Sequence, residues 1–114
     1  MQETVKRLHN LIAKYDEFRI QSFDSWQLVL LACWDLTYHH NVEVVFNDVS
    51  FLQCATDFRA QNFRLAKREE CAHFLQQLDG DATVFCFDSD GTTYFVAAKT
   101  IEIEEKLVLH YAPE

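Results

Sequence analysis

The stretch SWQLVLLACWD, Ser25 to Asp35, decides the fold. Trp26, Leu28, Leu30, Ala32 and Trp34 alternate with Gln27, Val29, Leu31 and Cys33, and both sets are largely apolar. Such a run suits a central strand covered on both faces, or a buried helix opened by Asp24 or Ser25 as its cap. Periodicity alone does not separate the two. The following segment does. NVEVVF, Asn41 to Phe46, places Val42, Val44 and Phe46 on one side of an extended chain, as a hairpin partner would. Residues 25–35 are therefore read as a strand, with Trp26 and Trp34 on one face of it.

Working outward, VSFLQ (Val49 to Gln53) continues as a third short strand after the turn-like pair Asn47–Asp48. Towards the N-terminus, Val5, Leu8, Leu11, Ile12, Tyr15 and Phe18 recur at spacings of three and four. Glu3, Lys6, Arg7, Asn10, Lys14 and Glu17 take the opposite side. This predicts an amphipathic helix over 3–18. Residues 57–64 carry no clear period and read as a loop. Leu65, Cys71, Phe74, Leu75 and Leu78 make a partial stripe, so 65–78 reads as a second helix, closed by Asp79–Gly80.

The C-terminal third is the most regular. TVFCF (Thr83 to Phe87) and TTYFVAA (Thr92 to Ala98) flank the turn DSDG (Asp88 to Gly91) and form a hairpin. Ile101, Ile103, Leu107, Leu109 and Tyr111 then alternate with Glu102, Glu104, Lys106, Val108 and His110, and Glu105 is a polar intruder on the apolar side. The last three strands have no room for crossover helices between them. The expected class is α+β: a mainly antiparallel sheet of five to six strands, with an N-terminal helix and a second helix near 65–78 packed on one face. The 114 residues are read as one domain, 1–114.

Composition narrows the chemistry. The formal charge of −8 repels a phosphate backbone, so general nucleic-acid binding is not expected. Cys33, Cys54, Cys71 and Cys86 form no CxxC pair and sit among apolar neighbours. They read as reduced thiols of a cytoplasmic protein. No apolar run reaches membrane-span length and no secretory signal is legible, so no membrane attachment is expected.

DLTYHHN, Asp35 to Asn41, offers a carboxylate and two histidines, but adjacent histidines point to opposite faces of a strand. A polar link between two strands is the preferred reading, and neither a metal nor a cofactor is expected. DSDGTTY fails as a calcium loop because its first and twelfth positions are Cys86 and Ala97. Two glycines, Gly80 and Gly91, cannot build a phosphate loop. Glu102 and Glu104, roughly 7 Å apart on an extended chain, read as the wet face of an edge strand that discourages aggregation. Arg59, Arg64, Lys67 and Arg68 interleave with Phe58 and Phe63, but Asp57, Glu69 and Glu70 balance their charge.

The functional expectation is a small acidic cytoplasmic protein-binding module without catalytic activity, meeting another protein or a second copy of itself. Its contact residues would be drawn from Trp26, Trp34, Arg59, Arg64, Arg68, Glu102 and Glu104. In size and charge, though in no motif, it is comparable with adaptor proteins and with antidote or immunity proteins of toxin systems. The alternative is a small-ligand-binding or hydrolytic cup using Asp35, His39, His40 and His110.

Overall fold

In the computed structural model, residues 2–33, 39–78 and 80–109 are described. The class is α+β with antiparallel sheets. Helix α1 (Gln2–Leu11) is followed by strands β1 (Glu17–Asp24), β2 (Gln27–Cys33), β3 (His39–Asn47), β4 (Phe51–Gln53), β5 (Asp57–Arg59) and β6 (Gln61–Leu65). A short helix α2 (Arg68–Cys71) and a 3₁₀ turn (Leu75–Gln77) lead into β7 (Thr83–Ser89), β8 (Thr92–Ala98) and β9 (Thr100–Leu109). One sheet has the order β5-β1-β2-β3-β9 and the other β4-β8-β7-β6.

The strand reading of residues 25–35 holds for Gln27–Cys33: β2 lies at the centre of the five-stranded sheet, antiparallel to both β1 and β3. What covers it is different from expectation. Leu28, Leu30, Ala32, Val42, Val44 and Phe46 share one core with Phe63, Phe85, Phe87, Val96 and Ala98 of a second sheet, which the sequence reading did not foresee. Two sheets stacked face to face bury far more aromatic area than one helix would cover, which gives the many phenylalanines a place. Phe58 sits between the layers, stacked on Phe18 and Phe87 at centroid distances of 5.6 and 5.0 Å. Helix α1 closes one side of the core through Val5 and Leu8, with Ile12 of the following turn.

Several expected elements change. The N-terminal helix stops at Leu11, and Glu17 and Phe18 already belong to β1. Residues 57–64 are not a loop: β5 pairs with β1, and β6 pairs with β7. The predicted helix over 65–78 is reduced to one α-turn and one 3₁₀ turn. Its apolar stripe is used all the same. Cys71, Phe74, Leu75 and Leu78 cover the outer face of the second sheet over Phe51, Val84, Cys86 and Phe95. Phe51 and Phe74 stack at 4.0 Å.

Strand β9 pairs with β3 alone among the described residues, so the carboxylates of Glu102 and Glu104 lie on an edge strand. Glu43 and Glu104 stand opposite one another, and Lys106 lies within 3.4 and 3.5 Å of them. The ammonium offsets a like-charge pairing that costs stability on a sheet. The polar intruder Glu105 is taken up by Arg7 of α1 at 2.7 Å.

Candidate functional site

Two hairpins of the fold close with two-residue turns. Asp24 pairs with Gln27, which leaves Ser25 and Trp26 as the connection between β1 and β2. Ser89 pairs with Thr92, which leaves Asp90 and Gly91 between β7 and β8. In both, the two central residues have positive φ: 51° and 66° in the first, 48° and 81° in the second. That is the type I′ turn, whose handedness suits twisted strands and whose usual residues are Asn, Asp and Gly.

A tryptophan in this conformation is unusual, because the left-handed region crowds Cβ against its own backbone. Its environment holds it there. The Trp26 carbonyl accepts a hydrogen bond of 2.8 Å from the Val49 amide, tying the tip to the β3–β4 connection. The side chain makes little use of the fold: Trp26 is 69% exposed, and Phe23 on the same tip is 48% exposed. They are the two large apolar side chains that stand out in water among the described residues. An aromatic pair of this kind, held on a rigid turn, is the type of feature that contact surfaces use.

Shallow grooves surround the tip, and two of them extend beyond it. One, of about 660 Å³, is lined by Ser22, Asp24, Ser25, Gln27, Asn47, Asp48 and Thr100. Its floor is organised by Asn47, whose amide donates to Thr100 Oγ1 and to Glu102 Oε2 and whose oxygen accepts from Gln27 Nε2. The other holds Trp26, Asp48, Val49, Ser50, Gln77 and Lys99. The Lys99 ammonium lies 3.4 Å from Asp81. Asp48 has a φ of 54°, a conformation that aspartate tolerates better than most residues.

The residues singled out from sequence fall in different places. Trp26 is not on the strand face but on the turn preceding it, because the Asp24–Gln27 pairing ends the ladder there. Glu102 borders the first groove through Asn47, whereas Glu104 lies further along β9 with Lys106. Arg59 is drawn to Asp16 at 3.4 Å. Arg64 bridges Glu70 and Asp88 and also donates to the Asn62 carbonyl. Arg68 belongs to α2 and is exposed. The basic cluster is thus divided among separate partners rather than presented as one patch. Trp34, Asp35 and His110 lie outside the described residues. His39 and His40 belong to β3, where their backbones pair with Leu109 and Val108, so the hairpin link ends before them.

The perturbed titrations lie away from the tip. Burial pushes the Cys54 and Cys86 thiols up to about 11. The Arg64 hydrogen bond holds Glu70 below the usual carboxylate range. Burial works against ionisation of Asp88, but hydrogen bonds from Thr93 and Asn62 and the charge of Arg64 outweigh it and lower its pKa. Arg64, Glu70 and Asp88, with Asn62 and Thr93, stitch β6, α2, β7 and β8 together. Among the described residues no group of three or more His, Cys, Asp or Glu is arranged to hold a metal ion, and no helix is long and apolar enough to cross a membrane.

Sequence reasoning missed Phe23, Asp24 and Asp48. The one legible signal was the turn-like Asn47–Asp48 pair, which lies beside the tip in space. Comparison with protein-family models, curated proteins and solved structures gives no match.

Proposed function

We propose that this chain is a non-catalytic protein-binding module of the cytoplasm that meets its partner through the β1–β2 tip. One observation carries the reading: Trp26 stands in water on a turn that would be easier to close with a small residue. A side chain that contributes little to the core, and is disfavoured where it sits, belongs with residues kept for contact. Phe23 extends the apolar surface. The hydrogen bond from Val49 fixes the backbone beneath it, so little ordering is left to be done on binding. The free thiols of Cys54, Cys71 and Cys86 support a reducing compartment.

The test is binding by the purified chain. Wild-type protein and a Trp26→Ala variant are immobilised and exposed to extract of the source cells. Proteins retained by the wild type alone are purified and titrated. At least one is expected to bind at micromolar concentration or tighter, and to lose about thirtyfold or more in affinity to Trp26→Ala, the scale of an interface hot spot. If every purified candidate binds the two forms equally, while their circular dichroism agrees, the tip is not the contact surface.

A further inference from the structure

We infer that the partner presents a cation-rimmed apolar recess, with an arginine or lysine of that protein lying in the Asp24–Asp48 groove beside the Trp26 ring. This rests on the preceding reading of the tip as a contact surface and adds the chemistry of what it contacts. The charge of the first groove is one-sided. Asp24 and Asp48 line the first groove and no cation does. Glu102 adjoins it through Asn47, and the nearby Lys99 is already engaged by Asp81. The remaining lining groups of that groove, from Ser22, Ser25, Gln27, Asn47 and Thr100, are hydroxyls and amides that accept hydrogen bonds from an ammonium or guanidinium.

Trp26 does not line that groove, but it shares one shallow groove with Asp24 and another with Asp48, so its exposed indole adjoins both carboxylates. A cation over the face of a tryptophan is attracted by the ring quadrupole, and the methylene stem of Arg or Lys packs on the same surface. The same arrangement disfavours other occupants. A second copy docking tip to tip would set Asp24 and Asp48 against their own equivalents, since a two-fold contact repeats the same patch on both sides. An anionic lipid surface would meet the same repulsion.

The experiment titrates the full chain with three probes: a synthetic peptide of alternating Arg and Leu, its charge-reversed Asp and Leu counterpart, and vesicles of phosphatidylcholine with phosphatidylserine. The Arg/Leu peptide is expected to bind, with affinity that falls as salt rises. Trp26→Ala and the Asp24→Asn/Asp48→Asn pair should each weaken it about tenfold or more. A control pair, Glu3→Gln/Asp90→Asn, removes the same charge elsewhere on the surface and should leave the affinity unchanged within about twofold. Equal weakening by the control pair would reduce the binding to net charge and overturn the inference. Equal, Trp26-dependent binding of both peptides would overturn the cationic partner while leaving the tip as a contact surface. Peptide binding indifferent to Trp26, or Trp26-dependent binding to vesicles alone, would overturn both.

Discussion

Two hairpins of this molecule close with the same type of turn and are built for different ends. The β7–β8 turn uses Asp90 and Gly91, residues suited to positive φ. Beneath it Phe87 is 2% exposed and packs on Phe58 and Tyr94. The β1–β2 turn uses Ser25 and Trp26, and the aromatic below it, Phe23, lies half in water. In the first, turn chemistry and stem packing agree with the fold. In the second both depart from it, and they depart together at one end of the sandwich. Where local preference is overridden without any gain in packing, function is the better place to look for the reason.

The contrast can be broken most directly at the stems. Phe87→Ala should cost about 3–5 kcal/mol of unfolding free energy, the range for a buried aromatic removed from a core, whereas Phe23→Ala should cost under about 1 kcal/mol. Urea unfolding of both variants checks this, and similar losses would mean that Phe23 is structural after all. At the turns the signs should oppose. Gly91→Ala should destabilise by about 1 kcal/mol, while Trp26→Gly should stabilise by a similar amount, since relief of a left-handed residue is worth about 1–2 kcal/mol before the entropy of the glycine is counted. A destabilising Trp26→Gly would show that the indole supports the fold.

The smallest effect should appear in acid. Glu70 and Asp88 are held below their ordinary values in the folded chain. Their contribution is therefore complete above the unfolded carboxylate pKa of about 4 and is lost as pH falls through the depressed folded values. Each is partly exposed, so the loss should stay under about 1 kcal/mol per group. Comparing unfolding at neutral pH with unfolding near pH 3 should give a shallower decline for Asp88→Asn than for wild type. Equal declines would remove this network from the stability of the β7–β8 hairpin.

The legible parts of the fold were those where a long apolar run is bounded by polar or turn residues. β2, β7 and β8 are seven-residue strands of this kind, and β7 pairs with β8 without a break. β1 escaped because its ladder shifts between Ile20 and Ser22, so Phe18 and Ile20 fall out of step with Phe23. β6 has a similar shift between Gln61 and Arg64, with Asn62 at positive φ, and β5 is only three residues long. The over-read second helix arose because Leu65 ends a strand while Phe74 and Leu75 begin a 3₁₀ turn, two separate structures whose apolar residues happen to fall near helical spacing. Trp26 was visible as a candidate, but Ser-Trp is not a dipeptide that announces a turn. Its exposure depends on pairing between Asp24 and Gln27 that only the assembled sheet reveals.

Strand β9 has a consequence for how the chain is made. It zips onto β3, yet in order of synthesis it comes after every strand of the other sheet. Until a ribosome has delivered that whole second layer, the β3 edge bearing Val42, Val44 and Phe46 waits without its neighbour. A nascent chain halted before Thr100 would offer that open edge to any passing strand, and chaperone capture should peak there.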